Sequence, residues 1–209
     1  MDTMKPITLF CIVSSGLLTI ASAFAQTSAA PAIATTTKPV LLTTPAPSKA
    51  SMSAAECEVW NRERSFAASV EHHDAAAFAD HEHAQAAFDA GSPEPIHGRA
   101  AVVDGWKGVI EGKQIKLRWS PGFVTIGGDG SLAISRGPSW IEDLRPDPKQ
   151  PDSVKRYRIG EFISTWIRDA DGKWRVMFDG GAAPMHAATA DDVAKLIASL
   201  PEECPQSTK

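Results

Sequence analysis

The segment Arg156-Tyr157-Arg158-Ile159-Gly160-Glu161-Phe162-Ile163-Ser164-Thr165-Trp166-Ile167-Arg168 and the segment Trp174-Arg175-Val176-Met177-Phe178-Asp179-Gly180-Gly181 constrain this chain most. Two runs rich in aromatic and β-branched residues flank the short turn Asp171-Gly172, which predicts a long antiparallel hairpin closing a curved sheet.

The amino-terminal region removes residues from the folding problem. Lys5 precedes an uncharged apolar run from Ile7 to Ile20, and Ala21-Ser22-Ala23-Phe24-Ala25 supplies small residues in an A-x-A arrangement. Residues 1–25 therefore read as a secretory signal peptide, and the expected location is periplasmic or secreted. The run is shorter than the roughly 20 apolar residues that span a bilayer, so no stable membrane insertion is expected once the signal is removed. A retained amino-terminal anchor is the alternative. No Cys follows the small-residue site and no Arg pair precedes the run, which speaks against a lipoprotein anchor and a twin-Arg route.

Residues 26–52 are rich in Ala, Thr, Pro and Ser and carry too little apolar surface to offset ordering entropy, so they read as a linker. Residues 53–204, about 150 in number, suit one domain with its own core, and 205–209 form a tail. Net charge is -4, and Asp2 and Lys5 leave together with the signal. The basic residues are scattered among acids, so the sequence points to no nucleic-acid partner. With Cys11 gone, Cys57 and Cys204 remain as an even pair that an oxidising compartment would join, the alternative being two unpaired thiols. Closing so long a loop would stabilise the domain by about 4 to 5 kcal/mol in the chain-entropy model.

Ser53-Ala54-Ala55-Glu56 is a capping-box pattern that starts a helix near Ala54. Val59, Trp60, Phe66, Ala67 and Val70 give it one buried stripe, with Arg62, Glu63 and Arg64 assigned to the other side or the edges. A second helix is expected from Asp74 through Phe78, and a third from Arg99 through Trp106 to Ile110. Strands follow at Ile115–Trp119, Phe123–Ile126 and Leu132–Gly137, with a bend at Ser120-Pro121-Gly122 and an exposed proline-rich loop at 145–151. Helices followed by antiparallel strands give an α+β domain with helices on one face of the sheet.

Asp74-Ala75-Ala76-Ala77-Phe78, Phe88, Gly98, Trp106, Trp119-Ser120-Pro121, Gly137, Thr165-Trp166, Asp171-Gly172-Lys173-Trp174 and Phe178-Asp179-Gly180-Gly181 resemble, as a set, a SnoaL-like, nuclear transport factor 2-like domain. The likeness is to the branch catalogued as a domain of unknown function, and it covers about Ala54 to Pro184. It implies a cone: a strongly curved, mostly antiparallel sheet wrapped around three amino-terminal helices, with an apolar pocket and frequent homodimers formed through the sheet. Ketosteroid isomerase, polyketide cyclases, dehydratases and non-enzymatic binding domains share that fold, so membership selects no reaction and implies no cofactor.

Asp179, before the glycine pair where such a cone opens, is the first candidate catalytic carboxylate, and Glu161 and Asp104 are weaker ones. A carboxylate beside tryptophans would be desolvated and would exchange protons near neutral pH, whereas a plain reading makes Asp179 a turn cap. Tyr157, the single tyrosine, lies outside an early helix, which departs from the isomerase pattern. Among the six tryptophans, Trp60, Trp166 and Trp174 are expected in the core. Trp106, Trp119 and Trp140 are expected to line a ligand pocket, with Ser135 and Arg136 adding polar contacts. His72, His73, His81, Glu82 and His83 have poor ligand spacing and read as a solvated helix end and loop, so no metal site is assigned.

Three readings follow. The first is a module binding a small apolar or amphipathic molecule without turnover. The second is a proton-transfer enzyme of the isomerase, cyclase or dehydratase type. The third is a dimeric interaction module using the outer sheet face.

Overall fold

Ser53 caps the first helix: its hydroxyl accepts from the Glu56 amide at 3.3 Å, and the Glu56 carboxylate accepts from the Ser53 amide at 2.8 Å. From that cap the computed structural model, which describes residues 51–149 and 155–206, runs through four helices and seven strands among those residues. They are α1 (Ala54–Glu71), α2 (Ala75–His81), β1 (Glu82–Phe88), β2 (Ile96–His97), α3 (Arg99–Glu111), β3 (Ile115–Trp119) and β4 (Phe123–Gly127). Then come β5 (Leu132–Asp143), β6 (Arg156–Arg168), β7 (Trp174–Ala188) and α4 (Ala190–Ser199). The signal-peptide reading, and the linker reading up to residue 50, lie outside the described residues.

The strands form one sheet in the order β2-β1-β7-β6-β5-β3, with β4 also paired to β5. All pairings are antiparallel except β1 with β7. The sheet curls into a half-barrel, the α+β cone expected from the resemblance. The predicted hairpin is β6–β7, closed by Gly172 at φ 79°. It is longer than expected. Gly180, Gly181 and Pro184 do not end β7, because register shifts between Ile159 and Phe162 place Pro184 in an irregular stretch that asks for no ladder amide.

Trp60, Phe66, Phe78, Phe88 and Trp166 pack in the core between α1, α2 and the sheet, and Trp174 is buried as expected. Phe66 meets Phe78, Phe88, Trp119 and Trp166 at centroid separations of 5.1, 6.5, 5.2 and 6.1 Å. Cys57 and Cys204 form a disulfide that ties α1 to the carboxyl-terminal segment. Beside it, Met52 donates its amide to the Pro205 carbonyl at 2.7 Å and bridges to Gln206, so ordered chain continues to both residues.

Two expectations are corrected. Glu63 does not face away from the apolar stripe of α1; it is wholly buried. His81 and Glu82 do not belong to a solvated helix end. His81 is 4% exposed, its Nδ1 donates to the Ala77 carbonyl at 2.7 Å, and burial, then the Arg62 charge, lowers its pKa to about 4. Glu82 is 0% exposed. A third difference is α4, for which the sequence reading made no provision. It is capped by Thr189 and Asp192 in the same reciprocal manner as α1.

Candidate functional site

Inward and outward residues alternate along β5, β6 and β7, and this parity builds the site. On β6 the residues Phe162, Ser164 and Trp166 are buried, while Glu161 and Ile163, of the opposite parity, are exposed. Ser164 stands between Ser135 on β5 and Asp179 on β7 in the ladder, which makes a short polar row inside an otherwise apolar cone. The Ser164 hydroxyl donates to Asp179 Oδ1 at 2.7 Å. Behind the row lies Glu63: its Oε1 accepts from Trp119 Nε1 at 2.7 Å and its Oε2 from Trp166 Nε1 at 2.8 Å. Burial raises the Glu63 pKa against the opposing pull of those two indoles and of Ser135 and Ser164.

Asp179 opens onto a pocket of about 200 Å³ whose walls are Trp106, Leu117, Trp119, Ile141, Phe162 and Met185, with Asp89, Ser139, Glu161 and the Gly180-Gly181 backbone at its polar points. Desolvation, with the Glu63 charge next, pushes the Asp179 carboxyl up to about 8. Glu82, on β1, is pushed up to about 9 by burial and then by the Asp179 charge, and neither of its oxygens has a hydrogen-bond partner among the described residues. Three acids thus share the closed end of the cone. At neutral pH, Asp179 and Glu82 hold their protons, and a neutral Asp179 can donate a hydrogen bond that an ionised one cannot. Among the described residues no group of three or more His, Cys, Asp or Glu is arranged to hold a metal ion.

The structure brings together part of the expected constellation. Asp179, Trp106 and Trp119 line one pocket. Trp106 is fixed there by stacking on Phe78 at 5.4 Å and by edge contact with Phe88 at 5.2 Å. Glu161 reaches only the rim; it lies on the outward parity of β6 and pairs with Arg136 from β5, with both side chains more than two-fifths exposed. Arg136 is thereby on the outer face rather than in the pocket. Ser135 faces inward but lies wholly buried near Glu63, deeper than the pocket lining. Trp140 has the opposite parity and borders a separate cavity between α1, β3 and α4. Glu63, Ser164 and Glu82 were absent from the sequence-derived site. Glu63 does fall three residues from both Trp60 and Phe66, which is the one hint that it shares their buried face.

On the outer face, Phe123, Leu132, Ile134, Ile163 and Phe178 are large and exposed. The register Ile134, Thr165, Phe178 across β5, β6 and β7 makes them neighbours. No helix among the described residues is long and apolar enough to cross a membrane.

No family model matches the sequence, and no curated protein matches it significantly. Solved structures do match. A nuclear transport factor 2-like superfamily protein from Salmonella enterica serovar Typhimurium superposes with a TM-score of 0.50 at 15% identity, covering 66% of this chain and 96% of that one. A protein of the same fold and unknown function from Pseudomonas putida gives 0.49 at 17% identity over 67% and 97%. A ketosteroid isomerase-like protein from Erwinia carotovora gives 0.48 at 11% identity over 64% and 100%. The chain has the nuclear transport factor 2-like fold.

Proposed function

We propose that the cone binds a small, largely apolar molecule carrying one carbonyl or hydroxyl group, which Asp179 recognises by donating a hydrogen bond. The observation that carries this is the Asp179 carboxyl, protonated near neutral pH and reachable from an aromatic pocket. Its Oδ1 accepts from Ser164 and the Gly180 amide also bonds the carboxyl, and neither contact uses the acid's own proton, which is left to meet a ligand. A volume of about 200 Å³ lies below the ~300–1,000 Å³ of drug-sized sites, so the ligand is of one or two rings. A second reading, proton transfer at Asp179, draws on the same raised affinity, since an acid that titrates near pH 7 to 8 both gives and takes a proton.

Titration of the exported chain with small ketones, phenols and the matching hydrocarbons, read by tryptophan fluorescence of Trp106 and Trp119, tests the proposal. Saturable quenching that prefers the polar ligands is expected, with the preference kept in Asp179→Asn, whose amide still donates, and lost in Asp179→Leu. Equal response to hydrocarbon and ketone, or none, refutes it. Recovering the ketone from deuterated water then separates the two readings: unchanged ketone means binding alone, and deuterium at the α-carbon that depends on Asp179 means proton transfer.

The chain also acts outside the cytoplasm as a homodimer in this reading. The Cys57–Cys204 disulfide and the amino-terminal apolar run support export. The exposed outer patch around Ile163 and Phe178 supports dimerisation through the sheet. Sedimentation should give twice the chain mass for the native protein and the single mass for Phe178→Asp.

A further inference from the structure

Among the described residues strand β3 ends its side of the sheet, and no strand of theirs lies beside its outer edge. The ladder phase with β5 is fixed by the Leu144 amide donating to the Gln114 carbonyl at 2.8 Å and the Ser120 amide donating to the Pro138 carbonyl at 3.1 Å. Bonding direction alternates along an antiparallel pair. The main-chain groups of Lys116 and Arg118 therefore point to β5, and those of Ile115, Leu117 and Trp119 point outward. Those three have no backbone partner on that side among the described residues. Two cavities border β3 beside α1, one of about 110 Å³ at Lys116, Leu117 and Arg118 and one of about 450 Å³ at Arg118 and Trp119 that α4 also walls, and the Glu71–Arg118 pair lines both.

An unpaired edge invites another strand unless something blocks it. Here charge blocks self-association. With Ile115, Leu117 and Trp119 as the bonding residues, every antiparallel register of two β3 strands that pairs two or more of them with one another sets Lys116 against Arg118, Lys116 against Lys116, or Arg118 against Arg118, and like charges directly opposite are destabilising. A second copy is thus refused. The cavity walls carry Arg64, Lys116 and Arg118 against Glu71 and Glu202, with Glu71 already paired to Arg118 at 3.0 Å. That balance favours carboxylates on the incoming chain.

We propose that the free edge of β3 docks an extended segment of a partner polypeptide in which carboxylates alternate with apolar side chains. The main chain of that segment would bond to Ile115, Leu117 and Trp119, its acids would lie beside Lys116 and Arg118, and its apolar residues would lie beside Leu117 and Trp119.

Amide hydrogen exchange on the exported chain tests this, with a blocked nonapeptide alternating Glu and Val as probe and one alternating Lys and Val as control. The Glu peptide should slow exchange of the Leu117 and Trp119 amides by about tenfold or more while leaving the Lys116 and Arg118 amides, already bonded to β5, unchanged. Lys116→Gln and Arg118→Gln, which remove a cation without setting a new carboxylate against Glu142 or Glu71, should each weaken the slowing about threefold or more while exchange of the β5–β6 ladder amides stays native. Three results overturn the proposal: no slowing at Leu117 and Trp119, equal slowing by the Lys peptide, or slowing that grows with protein concentration in the absence of peptide. The last would make the edge a contact between copies. Small-ligand binding in the cone is read separately, so this proposal and the one for Asp179 stand or fall apart.

Discussion

Two buried glutamates illustrate how partners, rather than burial alone, decide the sign of a substitution. Glu63 satisfies two indole donors at 2.7 and 2.8 Å, one on each oxygen. In Glu63→Gln the amide nitrogen would face one of those N–H groups, donor against donor. We expect a loss of about 1–3 kcal/mol in urea unfolding, because a buried indole is left unpaired. Glu82 has no hydrogen-bond partner for either oxygen among the described residues. Its carboxyl must be neutral or exact a large desolvation cost, and a side chain of similar volume without polar atoms escapes both. Glu82→Met should therefore stabilise the protein by about 1–3 kcal/mol at pH 7 in the same measurement. A loss of stability in Glu82→Met would show that the carboxyl has a partner in solution.

At the scale of elements, the bend after β3 depends on β5 lacking a side chain at one point. A Cβ built on Gly137 would meet the Ser120 carbonyl oxygen at 2.1 Å and the Gly122 nitrogen at 2.6 Å, both of them backbone atoms that cannot swing aside. Gly137→Ala should cost on the order of 2–4 kcal/mol in thermal or urea unfolding, whereas Gly127→Ala, with nothing within 4 Å, should change little. The sequence announced such features unevenly. The capping box at Ser53, the cap at Asp74 and the Asp171-Gly172 turn are local chemistry, written in adjacent residues, and each was legible. The full length of β7 was not, because Gly180, Gly181 and Pro184 look like terminators until the irregular pairing with β6 absorbs them. The site divided along the same line. Asp179 and the two tryptophans of its pocket could be named from their places in a hairpin, a helix and a bend. Glu63 meets Trp119 and Trp166 across sequence separations of 56 and 103 residues, and no local pattern carries information over that distance.

For the whole molecule, the buried acids impose a pH dependence opposite to the usual one. Asp179 and Glu82 have folded-state pKa values of about 8 and about 9, against roughly 3.9 and 4.3 in an unfolded chain. Below about pH 4 both states are protonated and these groups contribute their full stability. As pH rises above that, the unfolded chain releases protons that the folded one retains, so stability falls by about 1.4 kcal/mol per pH unit for each group, until the folded carboxyls ionise at about 8 and about 9. At the acid end the surface acts the other way. The Arg175 guanidinium holds Asp171, and the Arg145 guanidinium holds Asp143, below the usual carboxylate range. Those exposed pairs contribute stability above about pH 4 that is lost as they protonate, though solvent screening keeps each small. His81, whose pKa burial lowers to about 4, acts against the two acids up to roughly pH 6.5, the histidine value in an unfolded chain. Maximum stability should consequently fall near pH 4 to 5, with a decline towards pH 8.5 that steepens above roughly pH 6.5 in calorimetric melts of the disulfide-intact protein. Combining Asp179→Asn with Glu82→Gln removes both titrations and should make that decline shallower without moving the acid limb, the remaining slope coming from Glu63, whose carboxyl burial also raises. A native melting temperature that is constant from pH 5 to 8.5 would mean that water reaches the closed end of the cone and both acids ionise as they do in the open chain.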